Sequence, residues 1–159
     1  AGVLPTIRSR CVSFAIAPVS PADCARYCTA QGVDKKTAAL YSELFDGHIG
    51  TVLTAARDKA RTEQVDKAME LARAAQAGDS YTAAVLLAPY EKDKAGAAAL
   101  LRDLRAVAAA GLQGSPHAPV QGQQAQRTLR LAEAAIQRLG AQVNPKIVLT
   151  VFAARLAHA

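Results

Sequence analysis

Few residues of this chain have the types and spacing that chemistry requires. Arg8 and Arg10 flank Ser9 near the start. A guanidinium is planar, permanently charged and presents a fork of donors, so it suits anionic oxygens such as those of a phosphoryl group. Taken alone, such an arginine is most often a solvated surface charge. Cys11, Cys24 and Cys28 supply thiols, and Cys24 and Cys28 stand four apart on one face of an expected helix. With His48 they make an imaginable zinc set. The spacing matches no common zinc motif, and three small buried thiols are the expected reading. An odd cysteine count argues against a disulfide framework and fits a reducing, cytoplasmic setting. His48 is expected to pack and His117 to be solvated. Tyr27 and Tyr41 are expected in the core, because they lie on the apolar faces of short helices. No catalytic dyad, metal set or cofactor set is visible, so no metal and no cofactor is expected.

The elements that must position these residues are helical. Hydrophobic residues make up 51% of the chain but aromatic ones only 4%, and Trp is absent. Alanine supplies much of the apolar fraction, and alanine favours closely packed helices. The formal charge of +6 is compatible with nucleic acid or an anionic partner and identifies neither. No run of eighteen apolar residues occurs, so no membrane span or membrane partner is expected. Residues 1–10 do not read as a secretory signal.

Cys11 to Ala17 alternates, with Val12, Phe14 and Ile16 on one side, which predicts a strand closed by Pro18. A lone strand leaves its edges unsatisfied. The chain is therefore expected to open on the tail of a strand-containing domain. Beyond Pro18 the expected class is all-α. Ser20 and Pro21 open a first helix that Gly32 stops, and Asp34 caps a second carrying Thr37, Leu40, Tyr41, Leu44 and Phe45. Gly47 breaks it, and a third begins at His48 or Ile49. From about Arg61 the helices lengthen. Their stripes are Val65, Ala68, Met69 and Ala72, then Leu100, Leu101, Leu104, Val107 and Ala108. The next is Leu129, Ala132, Ala135, Ile136 and Leu139. The last is Ile147, Val148, Val151, Phe152 and Leu156. A boundary between short and long helices is expected between Arg57 and Glu63. Residues 111–122, rich in Gly, Pro, Gln and Ser, have the composition of a mobile loop.

The run Val3-Leu4-Pro5-Thr6-Ile7-Arg8-Ser9-Arg10-Cys11, followed by an expected strand, closely resembles the Ser-Arg-Cys segment of clamp-loader subunits of the AAA+ class. Two further stretches resemble that family. Gly47-His48-Ile49-Gly50 is similar to the turn that opens the lid helix, and Val143 to Leu149 to the start of the last collar helix. The resemblance implies that residues 1–17 end a nucleotide-binding-like domain, 18–60 form a three-helix lid, and 61–159 form a helical collar. It also implies that Arg10 acts as an arginine finger in trans, with Ser9 and Cys11 supporting its turn. An arginine supplied this way stabilises charge on the transferring phosphoryl, typically by ~10³–10⁵ in rate.

Gamma/tau subunits, which hydrolyse ATP, place an arginine soon after the glycine turn. Here the first is Arg57. That departure points to a non-hydrolysing member with no nucleotide of its own. Its implied partners are gamma/tau and delta subunits in a hetero-oligomeric ring, and through the ring the sliding clamp and primed DNA. One alternative is the gamma/tau ATPase itself. Another, weaker, is a basic helical DNA-binding module, which needs Lys and Arg on one helix face. Lys59, Arg61, Lys67 and Arg73 do not meet that need, because Asp58, Glu63, Asp66 and Glu70 alternate with them.

Overall fold

Helix ends need partners for their unpaired backbone groups, and short polar side chains supply them along this chain. The computed structural model describes residues 10–12, 14 and 19–157. Among these it has eight α-helices, one 3-10 turn and no strand. The helices are α1 Pro21–Ala30, α2 Lys35–Leu44, α3 Ile49–Arg57 and α4 Lys59–Ala77, then α5 Ser80–Leu87, α6 Lys94–Leu112, α7 Gly122–Gly140 and α8 Pro145–Ala157. The 3-10 turn, Ala88–Tyr90, follows α5. The chain is all-α, as alanine content and periodicity predict.

Ser20 Oγ accepts from the Asp23 amide at 3.1 Å and opens α1. Asp34 accepts from the Lys36 and Thr37 amides at 3.0 and 3.1 Å and opens α2. Asp58, Asp79 and Asp93 do the same for α4, α5 and α6, and Asn144 for α8. Gly78 ends α4 in the left-handed conformation, at φ +69°. Only Asp58 separates α3 from α4.

The expected stripes on α4 and α6 are buried at every position named for them. α6 and α7 run antiparallel. Lys94 Nζ donates to Gln142 Oε1 at 3.3 Å, and Arg105 meets Glu133 at 4.0 Å, so the residue numbers run in opposite senses. Buried alanines on both helices, Ala97, Ala108, Ala125 and Ala132 among them, leave room for close approach. α8 packs on α5 and α7, and α2 packs on α6. One continuous core results, reaching from Cys24 to Leu156.

Several expectations change. Residues 113–121 are not a free loop. Ser115, Ala118 and Val120 are buried there. The Val120 carbonyl lies so near α6 that a Cβ on Gly111 would stand 1.9 Å from its oxygen. Composition predicts mobility, but apolar side chains within the segment hold it down. Tyr27 is 48% exposed and Ile147 58% exposed, because no neighbouring helix covers those sides of α1 and α8. Of the expected strand, residues 11, 12 and 14 lie in a bend and irregular backbone, with Val12 and Phe14 exposed. A strand forms only against a paired neighbour, and no described residue offers one. Residues 13 and 15–17 lie outside the described residues.

Candidate functional site

Arg10 occupies an exposed turn and Cys11 an exposed bend; Ser9 lies outside the described residues. Arg10 has no hydrogen bond or ion pair with any described residue. Cys11 is not one of the buried thiols its small apolar character predicted.

Val19 is seated against the glycine turn. Asp46 and Gly47 both take positive φ, +49° and +70°. A Cβ on Gly47 would stand 1.8 Å from the Val19 carbonyl oxygen, so only glycine fits. His48 follows as the residue before α3. Its ring is exposed, with Nδ1 at 2.8 Å from the Phe45 carbonyl oxygen, where packing had been expected. Gly50 has open space around it. The first arginine beyond it, Arg57, is exposed in the last turn of α3.

Cys24 and Cys28 are fully buried on α1. Burial, and after it the neighbouring Cys24, pushes the Cys28 thiol up, which disfavours a reactive thiolate. Cys11 is exposed and apart from them in character. Among the described residues no three His, Cys, Asp or Glu side chains gather so as to hold a metal ion.

The best-organised polar cluster joins the short helices to the long ones. Arg61 of α4 grips Asp103 of α6 with both terminal guanidinium nitrogens, Nη1 and Nη2. Gln64 Nε2 donates to the same carboxylate at 2.8 Å. Arg61 also lies over the Phe45 ring, 5.5 Å from its centroid. The Asp103 hydrogen bonds raise Arg61 above its already high ordinary pKa, so the guanidinium stays charged. Nearby, Ser115 Oγ donates to Glu43. Both contacts are structural ties, since each carboxylate already accepts from a side chain of another segment of the chain.

Arg127, Arg130 and Arg138 lie on α7, and a local signal marks that region in the sequence: no Asp or Glu occurs from residue 104 to 132.

No family model, curated protein or solved structure matches the chain. No helix among the described residues is long and apolar enough to cross a membrane.

Proposed function

We propose that the chain is the C-terminal part of the delta-prime subunit of the bacterial DNA polymerase III clamp loader. On this reading it is a cytoplasmic, non-hydrolysing member of the polymerase III holoenzyme, a nucleotidyltransferase assembly. It helps build the loader ring and lends Arg10 to the ATP held by a neighbouring gamma/tau subunit. The ring then places the sliding clamp on primed DNA. The observation that carries the reading is the run Val3 to Cys11. The order of elements supports it: three short helices, a break at Asp58, then five helices of which three run to nineteen residues, although α5 has only eight. These would be the lid and the collar, and residues 11–17 would complete their strand against the upstream part of the AAA+ domain. An exposed Arg10, without an ion pair among the described residues, fits a group that works across an interface.

The test is assembly. The full-length protein, mixed with gamma/tau and delta subunits, should elute with them as one complex in size-exclusion chromatography. Failure to enter the ring would remove the reading.

A further inference from the structure

Cations and carboxylates are segregated along this chain. Residues 1–103 carry thirteen Lys or Arg against twelve Asp or Glu, whereas residues 104–159 carry six against one, Glu133. Most of the net charge therefore sits on the end of α6, on α7 and on α8. Glu133 already meets Arg105, and Lys146 meets Glu91 at 3.4 Å. Arg127, Arg130, Arg138 and Arg155 face no carboxylate within ion-pair distance among the described residues.

The fold gathers these arginines. At 100° per residue, Arg127, Arg130 and Arg138 fall within about 80° of the circumference of α7. Gln123 shares that strip, and Gln126 and Gln137 flank it. The other side of the helix, Ala125, Thr128, Ala132, Ala135 and Leu139, is buried. From Gln123 to Arg138 the strip is about 22 Å long at 1.5 Å per residue. Arg127 Nη2 donates to the Arg155 carbonyl oxygen at 2.7 Å, which sets the α8 backbone at Arg155 against the same end of the strip. There Gln123, Gln124, Gln126, Arg127, Arg130 and Leu131 line a recess of about 410 Å³.

The donors are guanidiniums and carboxamides, with no lysine among them. Guanidinium forks match phosphate oxygens two at a time. A carboxamide offers donor and acceptor together, which suits sugar and base edges. Carboxylate side chains of an acidic protein would engage only the amide donors, whereas the base edges beside a phosphodiester backbone engage donor and acceptor both. We propose that the outer strip of α7, ended by Arg155, is a binding track for the phosphodiester backbone of a nucleic acid. It meets, on a different helix, the condition of clustered cations that α4 fails.

Fluorescence anisotropy of labelled oligothymidine, and in a second arm of a labelled duplex, titrated with the chain over a range of salt concentrations, tests it. Binding should weaken linearly in log salt. Arg130→Gln with Arg138→Gln should lower affinity about tenfold at low salt. It should flatten the slope by about 1.4 with the single strand, or about 1.8 with the duplex, as expected for two lost phosphate contacts. The arm that binds more tightly names the form of nucleic acid. Both positions are exposed, so circular dichroism and melting should be unchanged. Lys35→Gln with Lys36→Gln removes the same charge from α2 and should leave the slope intact. Absence of salt-dependent binding, or an equal loss in the Lys35/Lys36 variant, would overturn the proposal. Displacement by polyglutamate at equal charge would also overturn it and assign the strip to an acidic protein partner.

Discussion

Arg10 is where the functional reading meets a single side chain. It is exposed and makes no hydrogen bond or ion pair with any described residue, so Arg10→Ala should leave folding nearly unchanged. In the reconstituted loader, with clamp and primed DNA, steady-state ATPase should fall but not vanish. The site that Arg10 serves would lose most of its ~10³–10⁵ stabilisation, while the other sites keep their own partners. Arg10→Lys should be nearly as damaging, because a point ammonium cannot reproduce the fork. Arg8→Ala should cost little. If Arg10→Ala ran at the wild-type rate while Arg8→Ala lost activity, the finger would belong to Arg8. If both ran at the wild-type rate, the role in trans would have to be dropped.

At the scale of elements, helix starts are held by carboxylates whose charge matters. Asp34 is held below the ordinary value of 3.8, chiefly by its bond from the Thr37 amide. Asp79 is lowered in the same direction, chiefly by the Thr82 hydroxyl. A lowered folded pKa means that the folded state binds the proton less readily than the unfolded chain does. The stabilisation is therefore complete above the ordinary value and disappears as pH falls through the lowered ones. Asn at both positions keeps an acceptor and removes the titration. Asp34→Asn with Asp79→Asn should melt slightly lower at neutral pH. It should lose less melting temperature than the parent on acidification below the ordinary carboxylate value. Thermal melts followed by circular dichroism across that range decide it. Parallel acid profiles in parent and variant would show that these caps contribute nothing measurable.

For the whole molecule the deciding contact is Arg61 with Asp103. It joins residues 42 apart and ties α4 to α6, with Phe45 beyond the end of α2 stacked beneath. Removing one partner of a buried pair costs ~3–5 kcal/mol, because the other charge is left without compensation. Here 27% of the Arg61 side chain reaches water, which lessens that cost. Asp103→Ala should destabilise the chain by about 2–3 kcal/mol in urea unfolding. Arg61→Ala combined with it should cost less than the sum of the two, since coupled contacts are not additive. The parent should unfold in a single transition, because the core runs unbroken through short and long helices. Additive costs would mean that the pair is not coupled, and two transitions in the parent would mean that the halves fold separately.

What could be read in the sequence is what acts over one or two helical turns. Ser20, Asp34 and Asn144 open helices because their side chains reach amides two or three residues on. Gly32, Gly47 and Gly78 end or turn the chain because positive φ suits glycine. Stripes such as Leu100, Leu101, Leu104 and Val107 announce a buried face through their period alone. The residues of the functional reading, Ser9, Arg10 and Cys11, came from resemblance of a motif; the exposure of Arg10 and Cys11 is a property of the fold. Tertiary structure decided what depends on distant neighbours. It brought Ala118 and Val120 down onto α6, left Tyr27 and Ile147 uncovered, paired Arg61 with Asp103, and set Arg127 beside Arg155. Burial and ion pairing depend on which helix lies opposite, and no local pattern carries that. The physical reason for the division is range: caps and periodicity are settled within a few residues, while packing and charge clustering are settled only when helices far apart in the chain meet.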